Sequence, residues 1–230
     1  MTGLRSFPEG TFLHYLPPAV RERLLALGAE ARYAAGQVLM RQGEASTPIF
    51  VLLEGVAKVS ARPGGGHESL LAVRVAGDVV GDMVPLTHSL HAATVTTCGA
   101  VRASVVSGPA FLDFVRGSAP AGLAMSRFIV DRLRWAEQSR LDLAGYDTGA
   151  CLARLLLSLA GRHGRHGTRG LDVGVPLSGP ELAALAGADP DLTAKALRDL
   201  RRRRLIRPVD GRIEILDVTA LATLANFRAF

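Results

Sequence analysis

The stretch that most constrains this chain runs from Pro120 to Ala144, PAGLAMSRFIVDRLRWAEQSRLDLA. At about 100° per residue, Ala121, Met125, Ile129, Leu133 and Ala136 fall on one stripe, and Ala124, Phe128 and Trp135 lie on a second beside it. The two stripes cover roughly half the circumference, more than a surface helix needs to dock on one body. Arg127, Asp131, Arg134, Glu137 and Gln138 hold the opposite side. The pattern predicts a long helix that packs on its own domain and on a partner, with Met125, Ile129, Leu133 and Ala136 as the seam. Its flanks differ: glycine-punctuated β-rich runs precede it and helical runs follow.

Before the helix, short β-rich segments succeed one another from Gly36 to Ser107: GQVLMRQG, IFVLLEG, VAKVSARPGGG, HESLLAVRVAGD, VVGD, HAATVTTCG and AVRASVVSG. Many short strands at near-regular spacing indicate a sandwich or jelly roll, not a parallel α/β sheet. Pro63–His67, PGGGH, reads as a hairpin turn. PPAVRERLLAL (17–27) reads as a short covering helix ending at Gly28, and Pro109 to Arg116 as one or two helical turns.

At 230 residues with 48% apolar content, the chain can build one large or two modest cores. No apolar run is long enough to span a membrane, and MTGLRSFPEG lacks the features of a signal peptide, so a cytoplasmic location is expected. Cys98 and Cys151 are too few for a disulfide framework or an iron-sulfur sensor, and no constellation suggests haem. No nucleophile–base pair, metal-ligand set or phosphate-cradling loop points to an enzyme. The formal charge of +6 concentrates toward the C-terminus, where residues 146–230 carry 13 basic and 9 acidic side chains. Its peak is Arg198, Arg201, Arg202, Arg203, Arg204 and Arg207, a cluster suited to phosphate backbones.

After the long helix, residues 149–160 are amphipathic, and GRHGRHGTRG (161–170) reads as a solvated loop; His163 and His166 lack further metal ligands nearby. Ser178-Gly-Pro-Glu181 is a capping box, Gly187 breaks the helix it opens, and Asp189 caps a second one with Pro190 in its first turn. In that second helix Thr193, Ala196, Leu197 and Leu200 share one face, while Asp191, Ala194, Lys195 and Arg198 share the other. Two short helices joined by a glycine turn form a helix-turn-helix, and Leu205–Arg207 with Gly211–Leu216 supply a wing. The residues expected at DNA are Ser178, Asp191, Ala194, Lys195, Arg198, Arg201, Arg202, Arg207 and Arg212.

The order Gly43-Glu44, Ile49-Phe50 with Leu52–Gly55, Ala76–Asp78, Val79–Asp82 and His91–Val95, followed by a long helix, resembles the Crp/Fnr family of bacterial regulators. Leu143–Ala160 resembles that family's hinge and following helix, so the likeness covers nearly the whole chain. It implies an α+β fold with a cyclic-nucleotide-binding-type jelly roll (1–118), a long dimerisation helix (119–145) and a winged helix-turn-helix (146–230). It also implies a homodimer, with double-stranded DNA and RNA polymerase as partners and no membrane. In the family's reading helix an arginine, an acid and a second arginine stand where this chain has Pro190, Asp191 and Lys195. Proline cannot make the bidentate guanine contact, so a different operator or weaker discrimination is expected.

In the family's effector pocket the matching residues are Gly81-Asp82 and His91-Ala92-Ala93, where cyclic-nucleotide binders carry glycine-glutamate and an arginine followed by Ser/Thr-Ala. An unperturbed imidazole is mostly neutral at pH 7 and has no bidentate fork. Ala136-Glu137 stand where hydroxylated residues face the purine of cAMP. These departures argue against cAMP, leave the effector unidentified and imply no cofactor. His91 is read either as part of a pocket retuned to another ligand or as a strand residue near the surface. The rival to a transcription regulator is an interaction protein that keeps the architecture without specific DNA reading.

Overall fold

The structure is a computed structural model that describes residues 6–45, 48–64, 66 and 68–226. Gly65 and His67 of the expected Pro63–His67 turn lie outside the described residues. The elements run α1 (Phe12–Tyr15), α2 (Pro18–Ala26), β1 (Ala29–Tyr33), β2 (Val38–Met40), β3 (Pro48–Glu54), β4 (Val56–Ala61), β5 (Ser69–Val75), β6 (Val79–Val80), α3 (Met83–Thr87), β7 (Thr94–Thr97) and β8 (Val101–Ser107). Then come α4 (Gly108–Arg116), α5 (Ala119–Gly145), α6 (Thr148–His163), β9 (Arg165–His166), β10 (Leu171–Asp172), α7 (Gly179–Ala186), α8 (Pro190–Arg202), β11 (Ile206–Val209), β12 (Arg212–Ile215) and α9 (Val218–Leu224). The chain divides into two units, 1–133 and 134–230, and the division falls inside α5.

In the first unit, two four-stranded antiparallel sheets, β1-β8-β3-β6 and β2-β7-β4-β5, form the sandwich expected of a jelly roll. Strand β3 is buried on both faces, and its period of two sorts its side chains between two cores. Phe50 and Leu52 join Leu39, Ala57, Val80 and Val95 between the sheets. Ile49, Val51 and Leu53 face the other way, where Phe12, Leu24, Phe111 and the first turns of α5 cover them. The sequence reading began the sheet at Gly36 and missed both β1, a polar edge strand, and the single-turn α3.

Met125 corrects the expected seam. It is buried in this helix-covered core with Ala121, Ala124 and Phe128. A row spaced by four residues advances 400° per step and so drifts about 40° around the helix each time. The drift carries Ala121 and Met125 onto the core and Ile129 and Leu133 out to solvent. The outward apolar surface of α5 therefore comprises Leu123, Ile129, Val130, Leu133 and Leu141, all exposed.

In the second unit, α6 packs against α8, α9 and α7 through Leu152, Leu155, Leu156 and Leu159. The expected capping box is formed: Ser178 N–H donates to Glu181 Oε2 at 2.8 Å and Glu181 N–H donates back to Ser178 Oγ. Gly187 ends α7 at φ 67°, where an L-residue would be strained. Strands β11 and β12 pair through the two-residue Asp210-Gly211 turn, both residues at positive φ, and join β10 and β9 in a four-stranded sheet. The segment expected as a loop from Gly161 is otherwise: α6 continues to His163, and Arg165–His166 form β9.

Candidate functional site: a charged cavity and a basic helix

A cavity of about 60 Å³ opens in the first unit beside Gly81, Asp82, His91 and Arg132. Gly81 sits at φ 89°, and a Cβ there would come within 2.8 Å of the Pro48 carbonyl, so the turn that presents Asp82 requires glycine twice over. Asp82 stands at the N-terminus of α3 but makes no cap. Its carboxylate turns inward, buried, and accepts from Arg132 Nη1 at 3.1 and 3.5 Å. Burial pushes its carboxyl above the usual carboxylate range, with the Arg132 and Arg74 guanidiniums opposing that rise. The Arg132 guanidinium also lies 5.4 Å from the Phe128 ring centroid, over its face.

His91 is not the surface strand residue that was one of its two readings. It is buried, it precedes β7, and its backbone is tied to the Gly43-Glu44 turn: Gly43 N–H donates to His91 O at 2.8 Å and His91 N–H donates to Glu44 O at 3.0 Å. Ala92 and Ala93 line the cavity beside it. Ala136 and Glu137 do not; both are exposed and belong to the second unit.

Two residues that sequence reasoning missed carry the charge of this cavity. Arg74 is buried on β5 between Val73 and Val75 and lines it, as does Arg132. Each had a signal. Arg74 interrupts an apolar strand, and Arg132 stands four residues after Phe128 on the buried side of α5, where a charge demands a partner. The neutral imidazole of the sequence reading is therefore not the whole of the cavity's basic lining.

In the second unit, α8 turns Thr193, Leu197 and Leu200 into the core and leaves Asp191, Leu192, Lys195, Arg198 and Arg202 exposed. Asp189 Oδ1 accepts from the N–H groups of Asp191 and Leu192 at 2.8 and 3.0 Å, so the first turn is fixed. Ala194 is half-buried, Arg201 is exposed, and Arg202 pairs with Asp199. The Ser178 hydroxyl is held by Glu181 at 2.9 Å. Arg207 is tied to the buried Glu214 and to Thr168, while Arg212 comes within 3.6 Å of Asp172. The Arg169 N–H bond holds the Glu214 carboxyl below the usual range, helped by Arg207 and Gly170 against the opposing effect of burial. Arg207 thus braces the wing, while Lys195, Arg198 and Arg201 face solvent, as do Arg203 and Arg204 after them.

A second, larger cavity of about 630 Å³ lies within the same unit, lined by Trp135, Tyr146, Cys151 and Leu155. Its polar groups engage one another: Arg154 Nε donates to Asp142 at 2.8 Å, its Nη1 to the Ala225 carbonyl at 3.0 Å, and its guanidinium stacks 4.9 Å from the Tyr146 centroid. Among the described residues, no three metal-ligating side chains come together and no helix is long and apolar enough to cross a membrane.

Residues 30–118 match the cyclic nucleotide-binding domain and residues 152–224 the Crp-like helix-turn-helix domain. The chain is 27% identical over 194 residues to a CRP-like cAMP-activated global transcriptional regulator of Mycobacterium tuberculosis, covering 84% of this chain and 87% of that one. It is 24% identical to the transcriptional activatory protein AadR of Rhodopseudomonas palustris, covering 91% and 87%. In fold it is similar to a CRP-family transcriptional regulator from Thermus thermophilus, with a TM-score of 0.71 at 23% identity over 85% of this chain and 96% of the other.

Proposed function

The chain belongs to the Crp/Fnr family of DNA-binding transcription regulators, and from that premise we propose that it works as a homodimer with an effector pocket unlike that of the cAMP-dependent members. In this reading residues 1–118 sense, 119–145 join the two copies and 146–230 read DNA. The observation that carries the dimer is the outward surface of α5. Leu123, Ile129, Val130, Leu133 and Leu141 are exposed on a helix whose other side is already buried. A second copy of the same helix covers such a stripe with itself, as a two-fold interface requires. The paired readers then meet a palindrome whose half-sites are about one helical turn, ~34 Å, apart.

The pocket differs from the cAMP pattern in the source of its positive charge. By the sequence resemblance His91 stands where cyclic-nucleotide binders carry an arginine, and Arg74 and Arg132 line the cavity from β5 and α5. The effector it suits is a small anion. At about 60 Å³ the cavity is well below the ~300–1,000 Å³ of ordinary ligand pockets, which favours a ligand smaller than a nucleotide.

Two measurements test this reading. Replacing Ile129 and Leu133 together with aspartate should give monomers in sedimentation and abolish tight binding to promoter fragments; dimers that survive both changes refute the seam. Calorimetry with cAMP should give no saturable heat at micromolar concentration, and tight binding of cAMP refutes the pocket reading.

A further inference from the structure

The basic face of α8 begins a full turn later than a reading helix built on arginine would require, and its first turn carries an apolar group instead. Leu192 is 53% exposed there, between Asp191 and a buried Thr193. Exposed leucines are common, but this one stands on the turn that a helix-turn-helix presents to base edges. We propose that Leu192 reads thymine, packing its isobutyl group against the 5-methyl in the major groove. The inference rests on the reading of this chain as a DNA-binding regulator and gives that reading a specificity residue.

Three features of the turn support the assignment. It is unsuited to phosphate: Pro190 has no N–H, those of Asp191 and Leu192 are held by Asp189 Oδ1, and that of Thr193 donates to the Asp189 carbonyl at 2.9 Å. The carboxylates of Asp189 and Asp191 repel phosphate as well. The cations that can grip the backbone, Lys195, Arg198 and Arg201, lie further along the helix. Finally, the buried Thr193, Leu197 and Leu200 fix the rotation of α8, so Leu192 is held outward. Of the four bases only thymine offers a methyl group in the major groove.

The test is selection from a randomised duplex library by the full-length protein and by Leu192→Ala, followed by binding to the selected site with deoxyuridine in place of single thymines. The substitution is at an exposed position, and the uracil arm needs no variant at all. The wild type should enrich a symmetric motif with a thymine in each half-site. Uracil there should weaken binding about 3- to 5-fold per half-site, the worth of one buried methyl group. Leu192→Ala should enrich the same motif without that thymine and should be insensitive to uracil. A motif whose thymines all tolerate uracil, or a thymine preference kept by Leu192→Ala, overturns the assignment and leaves the regulator intact. Failure of the wild type to enrich any motif overturns both.

Discussion

The two units handle charge in opposite ways. The first unit, residues 1–133, holds Arg74 and Asp82 in its interior, each less than a tenth exposed, with Arg132 paired to Asp82 at the rim. The reader sets Lys195, Arg198 and Arg201 on its surface, where water and salt screen them. An interior charge must be matched by a partner or it destabilises the fold, so its position is fixed by folding. A surface charge costs folding little and is free to be chosen for a partner outside the chain.

The largest effect should come from unbalancing the interior. Arg132→Met leaves the Asp82 carboxylate buried without its guanidinium and should cost the sensor unit about 3 kcal/mol in urea unfolding followed by circular dichroism, the low end for a buried pair because Arg132 is partly exposed. The carboxyl, already raised by burial, then rises further. A group with a raised folded value takes up protons on folding, so the variant should be less destabilised at pH 5 than at pH 8. A loss independent of pH would show that Arg132 acts through packing on Phe128.

A smaller effect tests whether the reader too has an interior charge problem. His163 ends α6 with both ring nitrogens buried and no well-formed hydrogen bond to either. Burial drives its pKa from 6.5 to about 4, the Val173 backbone opposing and Arg162 adding to the fall. The unfolded chain takes its proton near 6.5 while the folded one waits until about 4, so the reader loses stability as pH falls through this window. The loss should reach about 2 kcal/mol by pH 5 and be absent in His163→Leu. Trp135, the sole tryptophan, lies in this unit and reports the transition by fluorescence.

The smallest effect should come from the surface. Arg198→Gln should leave unfolding unchanged within about 0.5 kcal/mol. It should weaken promoter binding about 3- to 10-fold at 0.1 M salt and lower the log–log salt slope by about one per protomer. If Arg198→Gln instead destabilises the reader while sparing DNA affinity, the contrast between the units is lost.

The same contrast explains what was legible in the sequence. The reader's features are local: Ser178 and Glu181 are three residues apart, and Asp189 caps the N–H groups of the next turn. Spacing alone reveals them. The pocket joins residues that are 50 apart, Asp82 and Arg132, and sets Arg74 against them from a third element. Such a pairing leaves only an indirect trace, a charge in an apolar stripe. Met125 shows the limit of periodicity in another way, since a stripe drawn by steps of four crosses from core to solvent without any change in residue type.

The small cavity beside the Asp82–Arg132 pair has a kinetic consequence for any larger ligand. A ligand larger than the cavity's about 60 Å³ would meet only the fraction of molecules in which it has widened. Its apparent affinity is the intrinsic one reduced by that fraction, and the observed rate of association levels off at the opening rate as ligand is added. The time such a ligand takes to bind at high concentration would then reflect how often the cavity widens, independent of how tightly the final complex is held.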